Sequence, residues 1–222
     1  MEYEITNQPA FAELVLTLEA GEEVRAESGA LVSYSGTVEL SPRTDETPEH
    51  ASLGEGTPFS TTFAADQPGT VRLAPPFPGD IFRYELRDES LYVQSCSFLA
   101  AESGIDFQTT FDGEETFVKC AGDFLLELSG AGLAFLSSYG SVSVVSLDPG
   151  ERYVVDTGHV VAFEGPVDFD VHQVDGLRSP GDGRGGLLAE FEGPGTIWLQ
   201  SRSPVALLSW LLPNMPGEHS QR

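Results

Sequence analysis

Apolar side chains come in short runs along this chain. Residues 11–18, 24–27, 31–34, 91–94, 124–128 and 153–155 are rich in Val, Leu, Phe and Tyr. Gly, Pro, Asp and Ser interrupt such runs about every 8–12 residues, a spacing that predicts an all-β chain. One helix is expected. Ser203 supplies a cap and Pro204 stands at the first helical position, and the apolar run continues through Leu212 until Pro213. Two stretches read as loops: 41–58, which holds three prolines and five charged residues, and 179–186, Ser-Pro-Gly-Asp-Gly-Arg-Gly-Gly.

The pattern also repeats. Leu18-Glu-Ala-Gly21-Glu22 returns as Leu147-Asp-Pro-Gly150-Glu151 at an offset of 129 residues. The match continues without a gap: Val24 falls on Tyr153, Glu27-Ser28-Gly29 on Asp156-Thr157-Gly158, and Leu31-Val32 on Val160-Val161. A weaker middle copy, at an offset of 67, places Leu91 on Val24, Gln94-Ser95-Cys96 on Glu27-Ser28-Gly29 and Phe98-Leu99 on Leu31-Val32. A second series interleaves with the first: Gly69-Thr-Val71-Arg-Leu73, Gly132-Leu-Ala-Phe135-Leu136 and Gly195-Thr-Ile197-Trp-Leu199 are 63 residues apart each time. One repeat is too small to close a core, whereas three together can. The expectation is therefore a single all-β domain over residues 1–213, built from repeats at about 16–75, 79–141 and 142–203, with a tail at 214–222. The repeats would form pseudo-threefold β-sandwich or short double-stranded β-helix units, followed by the short C-terminal helix.

Composition narrows the partners. The chain has 222 residues, 35 acidic against 11 basic, and a formal net charge of -24. Such a field repels polyanions, so nucleic acid and anionic membrane are poor partners. Lys119 is the only lysine, and the acidic residues are spread from Glu2 to Glu218. That distribution suits a surface adapted to a salty cytoplasm, where counterions screen self-repulsion. No run reaches the roughly 18 apolar residues of a membrane span, and the expected setting is cytoplasmic. Cys96 and Cys120 are then expected to stay reduced.

Several blocks carry a resemblance to a known family. They are Tyr3-Glu-Ile5, Glu27-Ser-Gly29-Ala30, Pro75-Pro-Phe-Pro-Gly79-Asp80, Phe135-Leu-Ser-Ser-Tyr139-Gly140, Asp156-Thr-Gly-His159-Val-Val-Ala-Phe163 and Trp198-Leu-Gln200-Ser-Arg202. In this order, over nearly the whole chain, they resemble the altered-inheritance-of-mitochondria (mitochondrial biogenesis) family. The resemblance implies a fold like a triplicated trp RNA-binding attenuation protein subunit, a tendency to form oligomers, and a role related to membrane organisation. Members of that family usually carry a glycine-rich stretch where this chain has residues 41–56.

Candidate chemistry is sparse. A metal-dependent cupin needs paired histidines and a carboxylate on adjacent strands. His50, His159, His172 and His219 are well separated, and no His-x-His pair occurs. His159 is the one polar asymmetry among the repeats, standing where the other copies have Ala30 and Ser97. Glu27, Gln94 and Asp156 occupy one repeat position and supply acceptors able to bond nearby backbone amides and fix a turn. If the copies converge on an axis, the three could instead frame a small polar site. No nucleophile elbow or phosphate loop is present. The reading is a non-enzymatic scaffold or binding module without cofactor or metal, and the alternative is a cupin-like small-molecule binder or enzyme with a pocket near His159. The helix leaves almost no polar face, so it needs cover. Its own β core could supply that, or another subunit could meet Leu207, Trp210 and Leu211 in a homo-oligomer, a trimer being favoured.

Overall fold

The structure, a computed structural model, describes residues 1–42, 60–111, 125–178 and 185–214. Its strands fall into three consecutive sets. The first comprises β1 (Glu2–Thr6), β2 (Glu13–Leu18), β3 (Glu23–Glu27), β4 (Leu31–Tyr34), β5 (Val38–Pro42), β6 (Ser60–Ala65) and β7 (Gly69–Leu73). The second has β8 (Ile81–Arg87), β9 (Leu91–Gln94), β10 (Phe98–Glu102), β11 (Ile105–Phe111) and the long β12 (Leu125–Ser137). The third has β13 (Val142–Leu147), β14 (Arg152–Asp156), β15 (Val160–Glu164), β16 (Asp168–Arg178), β17 (Gly185–Glu192) and β18 (Gly195–Gln200), after which comes the helix α1 (Pro204–Asn214). The protein is all-β with one short C-terminal helix.

Antiparallel pairing follows one scheme in every set. In the first, β2 and β4 flank β7, while β3 and β5 flank β6. In the third, β13 and β15 flank β18, while β14 and β16 flank β17. In the second set a single strand serves both roles: the first half of β12 pairs with β9 and β11, and its second half with β8 and β10. The change of partners falls at Gly130 and Gly132, whose φ of 96° and 148° an L side chain rarely adopts. Two further ladders join the sets in series. β10 pairs with β3, and β15 pairs with β9.

Strand alternation decides what each face buries. In β2, Leu14, Leu16 and Leu18 are fully buried while the residues between them are half-buried. Three apolar clusters result, one for each set, and two of them borrow from the next set along the chain. Leu99 and Ala100 of β10 complete the cluster around Leu14, Val24 and Phe63. Val161 and Ala162 of β15 complete the cluster around Leu91, Val93 and Leu136. The third cluster, around Val155, Phe163 and Phe191, includes Leu125 of β12 from the preceding set but, among the described residues, nothing from the β4- or β10-type strand of another set.

The repeated Leu-x-x-Gly-Glu segments form matching turns. Glu22 N–H bonds to the Glu19 carbonyl at 3.0 Å, and Glu151 N–H to the Asp148 carbonyl at 2.9 Å. Gly21 and Gly150 sit at φ 84° and 78°, as the third position of a type II turn requires. In each turn the Glu carboxylate also accepts the backbone N–H of residue 19 or 148.

Some boundaries differ from the sequence reading. Phe11 lies outside β2 and is exposed, and Phe124 lies outside the described residues. Loop stretch 41–58 falls almost wholly outside them too, except that Ser41 and Pro42 end β5. Of 179–186, Gly185 and Gly186 begin β17, because the ladder to β16 extends to them. The helix does not stop before Pro213 but runs on to Asn214; a proline in a last turn keeps its fixed φ within the helical range.

Candidate functional site

The three residues that share a repeat position end equivalent strands: Glu27 closes β3, Gln94 closes β9 and Asp156 closes β14. Each leads into a tight turn. After β9 and β14 the chain makes a single 3₁₀ turn, over Ser95–Ser97 and Thr157–His159. Asp156 caps its turn, its Oδ1 accepting the Gly158 N–H at 2.9 Å. Glu27 does the same for Gly29, and its burial holds the carboxyl above the usual carboxylate range despite that bond. Gln94 differs from the expectation, since it is buried and makes no cap bond from its side chain. No described hydrogen bond links any two of the three, and each serves the turn of its own set. Cys96 is half-buried in the first of these 3₁₀ turns. Cys120 lies outside the described residues.

His159 ends the second 3₁₀ turn and is half-buried. Its Nδ1 stands 2.8 Å from the carbonyl of Gln200. A carbonyl only accepts, so Nδ1 carries the proton in this contact. Gln200 is itself buried and satisfied on both sides: its Nε2 donates to the Gly158 carbonyl at 2.9 Å, and its Oε1 accepts the Tyr139 N–H at 2.8 Å. His159 and Gln200 thus tie the end of β18 to the turn after β14. Of the other histidines, His172 lies on β16, and His50 and His219 fall outside the described residues. Among the described residues no group of three or more His, Cys, Asp or Glu side chains is placed to hold a metal ion.

An open concavity lies elsewhere. It is a groove of about 570 Å³ over the paired strands β8 and β12, lined by Arg83, Glu85, Arg87, Glu102 and Leu133. Much of its polarity is already engaged, because Arg87 pairs with Glu85 at 3.1 Å and Glu102 accepts the Leu133 N–H at 2.8 Å. Neither His159 nor Asp156 reaches it.

The exposed apolar side chains are more informative. Leu31, Val32 and Tyr34 stand out from β4, Tyr153 and Val154 from β14, and Leu208, Trp210 and Leu211 from α1. Among the described residues, none of the large exposed hydrophobics comes from β6 to β12. The described residues cover the helix only in part: Pro204 is buried and Val205 and Leu207 are half-buried, while Trp210 is 66% exposed. The helix touches the Thr157–His159 turn beside the end of β14. The sequence reading found β4 and β14 as strands and missed them as apolar edges. Apolarity alone could not single them out, since the copies of Leu31-Val32 are Phe98-Leu99 and Val160-Val161, all fully apolar.

Among the described residues no helix is long and apolar enough to cross a membrane. An uncharacterised protein of Streptococcus pyogenes serotype M6 is 27% identical over 216 residues, spanning 90% of this chain and 86% of that protein. A crystal structure of a Streptococcus pyogenes protein superposes with a TM-score of 0.80 at 24% identity, covering 96% of this chain and 99% of that one, which shows the shared fold. The family model described as Mitochondrial biogenesis AIM24 matches residues 3–202, and with that match over most of its length the chain belongs to this family.

Proposed function

We propose that the protein is a non-enzymatic scaffold or binding module that works as a homo-oligomer, a trimer of this chain, without cofactor or metal. One observation carries this reading: Glu27, Asp156 and His159 are bonded to backbone groups of their own turns or of β18, while eight of the twelve large exposed hydrophobics among the described residues lie on β4, β14 and α1, the others being Tyr3, Phe11, Leu40 and Val144. Exposed apolar side chains grouped on an element, when they form a contiguous patch, mark interaction surfaces. The three strand sets are internal repeats of one unit in a fold like a triplicated trp RNA-binding attenuation protein subunit. The shared pairing scheme and the matching turns at Gly21 and Gly150 support that reading. The net charge of -24 with a single lysine supports a cytoplasmic protein adapted to high salt. Family membership favours a role in organising a membrane-associated assembly, reached through protein partners rather than insertion.

Two measurements on the purified chain test this. Light scattering in molar potassium chloride should give a multiple of 23.8 kDa, and elemental analysis after dialysis should find no stoichiometric metal. Zinc, iron or manganese retained at one per chain would overturn the reading in favour of a cupin-like site at His159.

A further inference from the structure

Reaching strands and receiving strands join the sets, and among the described residues one of each kind has no partner in another set. β10 reaches back to β3, and β15 reaches back to β9. In the same scheme β4 has no earlier set to reach, and β14 has no later strand to receive. Among the described residues β4 pairs only with β7, and β14 only with β17. We propose that β4 of one copy pairs antiparallel with β14 of a second copy, head to tail, so that the junction found twice within the chain is made a third time between chains. This rests on the homo-oligomer proposed above and names its contact surface.

The register follows from the internal junctions. The first pairs Ala100 with Ala26, Ala101 with Arg25 and Glu102 with Val24. The second pairs Ala162 with Val93, Phe163 with Tyr92 and Glu164 with Leu91. The offsets of 67 and 129 residues map these two registers onto each other, pair for pair. Carried one step further, they place Ser33 opposite Val155, Tyr34 opposite Val154 and Ser35 opposite Tyr153.

Burial supports the same step. Phe98, Leu99, Ala100 and Ala101 of β10 are buried, as are Val160, Val161, Ala162 and Phe163 of β15. Their counterparts on β4 are exposed, with Val32 at 51% and Tyr34 at 47%. On the receiving side Arg25 is buried and Tyr92 stacks on Phe163 at 5.1 Å between ring centroids, whereas the equivalent Val154 is 51% exposed. Leu99 and Val161, the residues that reach into the preceding core, both correspond to Val32. The third core is the one that lacks such a contribution, and Val32 of a second copy supplies it. Monomeric proteins protect sheet edges with Lys, Pro or inward charges, and β4, Leu-Val-Ser-Tyr, has none of these. The helix that carries the exposed Leu208, Trp210 and Leu211 touches the Thr157–His159 turn, which follows β14. A second copy is the occupant because both halves of the junction, in one register, are carried by this one chain.

Cross-linking tests it in the full chain with Cys96→Ala and Cys120→Ala. Tyr34→Cys and Val154→Cys, on separate co-expressed chains, should form under mild oxidation in molar salt a covalent dimer containing one of each. Neither variant should cross-link alone. Ser33→Cys with Val155→Cys covers the alternate ladder position, since neighbouring antiparallel pairs differ in spacing. A multimeric mass by light scattering with neither pair cross-linking would overturn the edge pairing and leave the oligomer standing. A mass of 23.8 kDa would overturn both. Self-linking of Tyr34→Cys, or a bond closed within one doubly substituted chain, would overturn the head-to-tail arrangement.

Discussion

Single residues here are explained by the backbone they hold. Gly79, in the Pro-Gly-Asp block, lies where the segment before β8 meets the segment before β13: a Cβ added to it would stand 1.7 Å from the Ser138 carbonyl oxygen. Asp80 N–H bonds to the Gly140 carbonyl at 3.1 Å across the same contact. Glu27 shows the cost of such a role. Burial raises its carboxyl pKa, while the Gly29 N–H works in the opposite direction. A raised folded value means that the native chain holds this proton more tightly than the unfolded one, so stability falls as pH rises from the ordinary carboxylate range through the folded pKa. Glu27→Gln keeps an acceptor for Gly29 and removes the charge. It should raise the melting temperature at pH 7, with the gain shrinking toward pH 4; thermal melts across that range check it. The turn-fixing role of Glu27 and Asp156 was legible in the sequence because an acceptor two residues before a glycine is a local signal. The contact of His159 with Gln200 was not, since it joins positions 41 residues apart that only the folded sheet brings together.

For elements, the sequence was most informative where alternation and punctuation coincide. The stretches 31–34 and 91–94 match β4 and β9, and the glycine-led series at Gly69, Gly132 and Gly195 falls on β7, β12 and β18. Periodicity reports which residues avoid water and says nothing of what covers them. That is why α1 could be placed from its cap and its proline, while the choice between its own core and another subunit as its cover stayed open. The same limit hid the edges: Leu31-Val32 reads like Phe98-Leu99, yet only the second pair is covered within one chain. The two positions should therefore respond differently to a charge. Leu99→Asp leaves an unpaired carboxylate in a filled core and should cost about 3–5 kcal/mol, enough to unfold a marginal domain. Val32→Asp should leave a folded chain, within about 0.5 kcal/mol for the isolated subunit, and reduce the mass to that of a monomer. Circular dichroism melts with light scattering on both variants decide this, and an unfolded Val32→Asp chain would place Val32 in a core of its own chain.

At the scale of the whole molecule, a net charge of -24 opposes any contact between copies. Unscreened, that repulsion extends over about 30 Å at 0.01 M salt, against about 3 Å at 1 M. The uncharged Leu-Val-Ser-Tyr edge faces less of this penalty than the rest of the surface, and high salt removes most of what is left. Within one chain, alternate amides of β4 and β14 bond to β7 and β17, and the others point outward to water. Hydrogen exchange followed by mass spectrometry reads those outward amides directly. In molar potassium chloride residues 31–34 and 152–156 should be protected to the level of β10 and β15, and the protection should fall on dilution or at 10 mM salt. Fast exchange at both strands under every condition, unchanged by protein concentration, would show that the edges stay open and would contradict assembly through them.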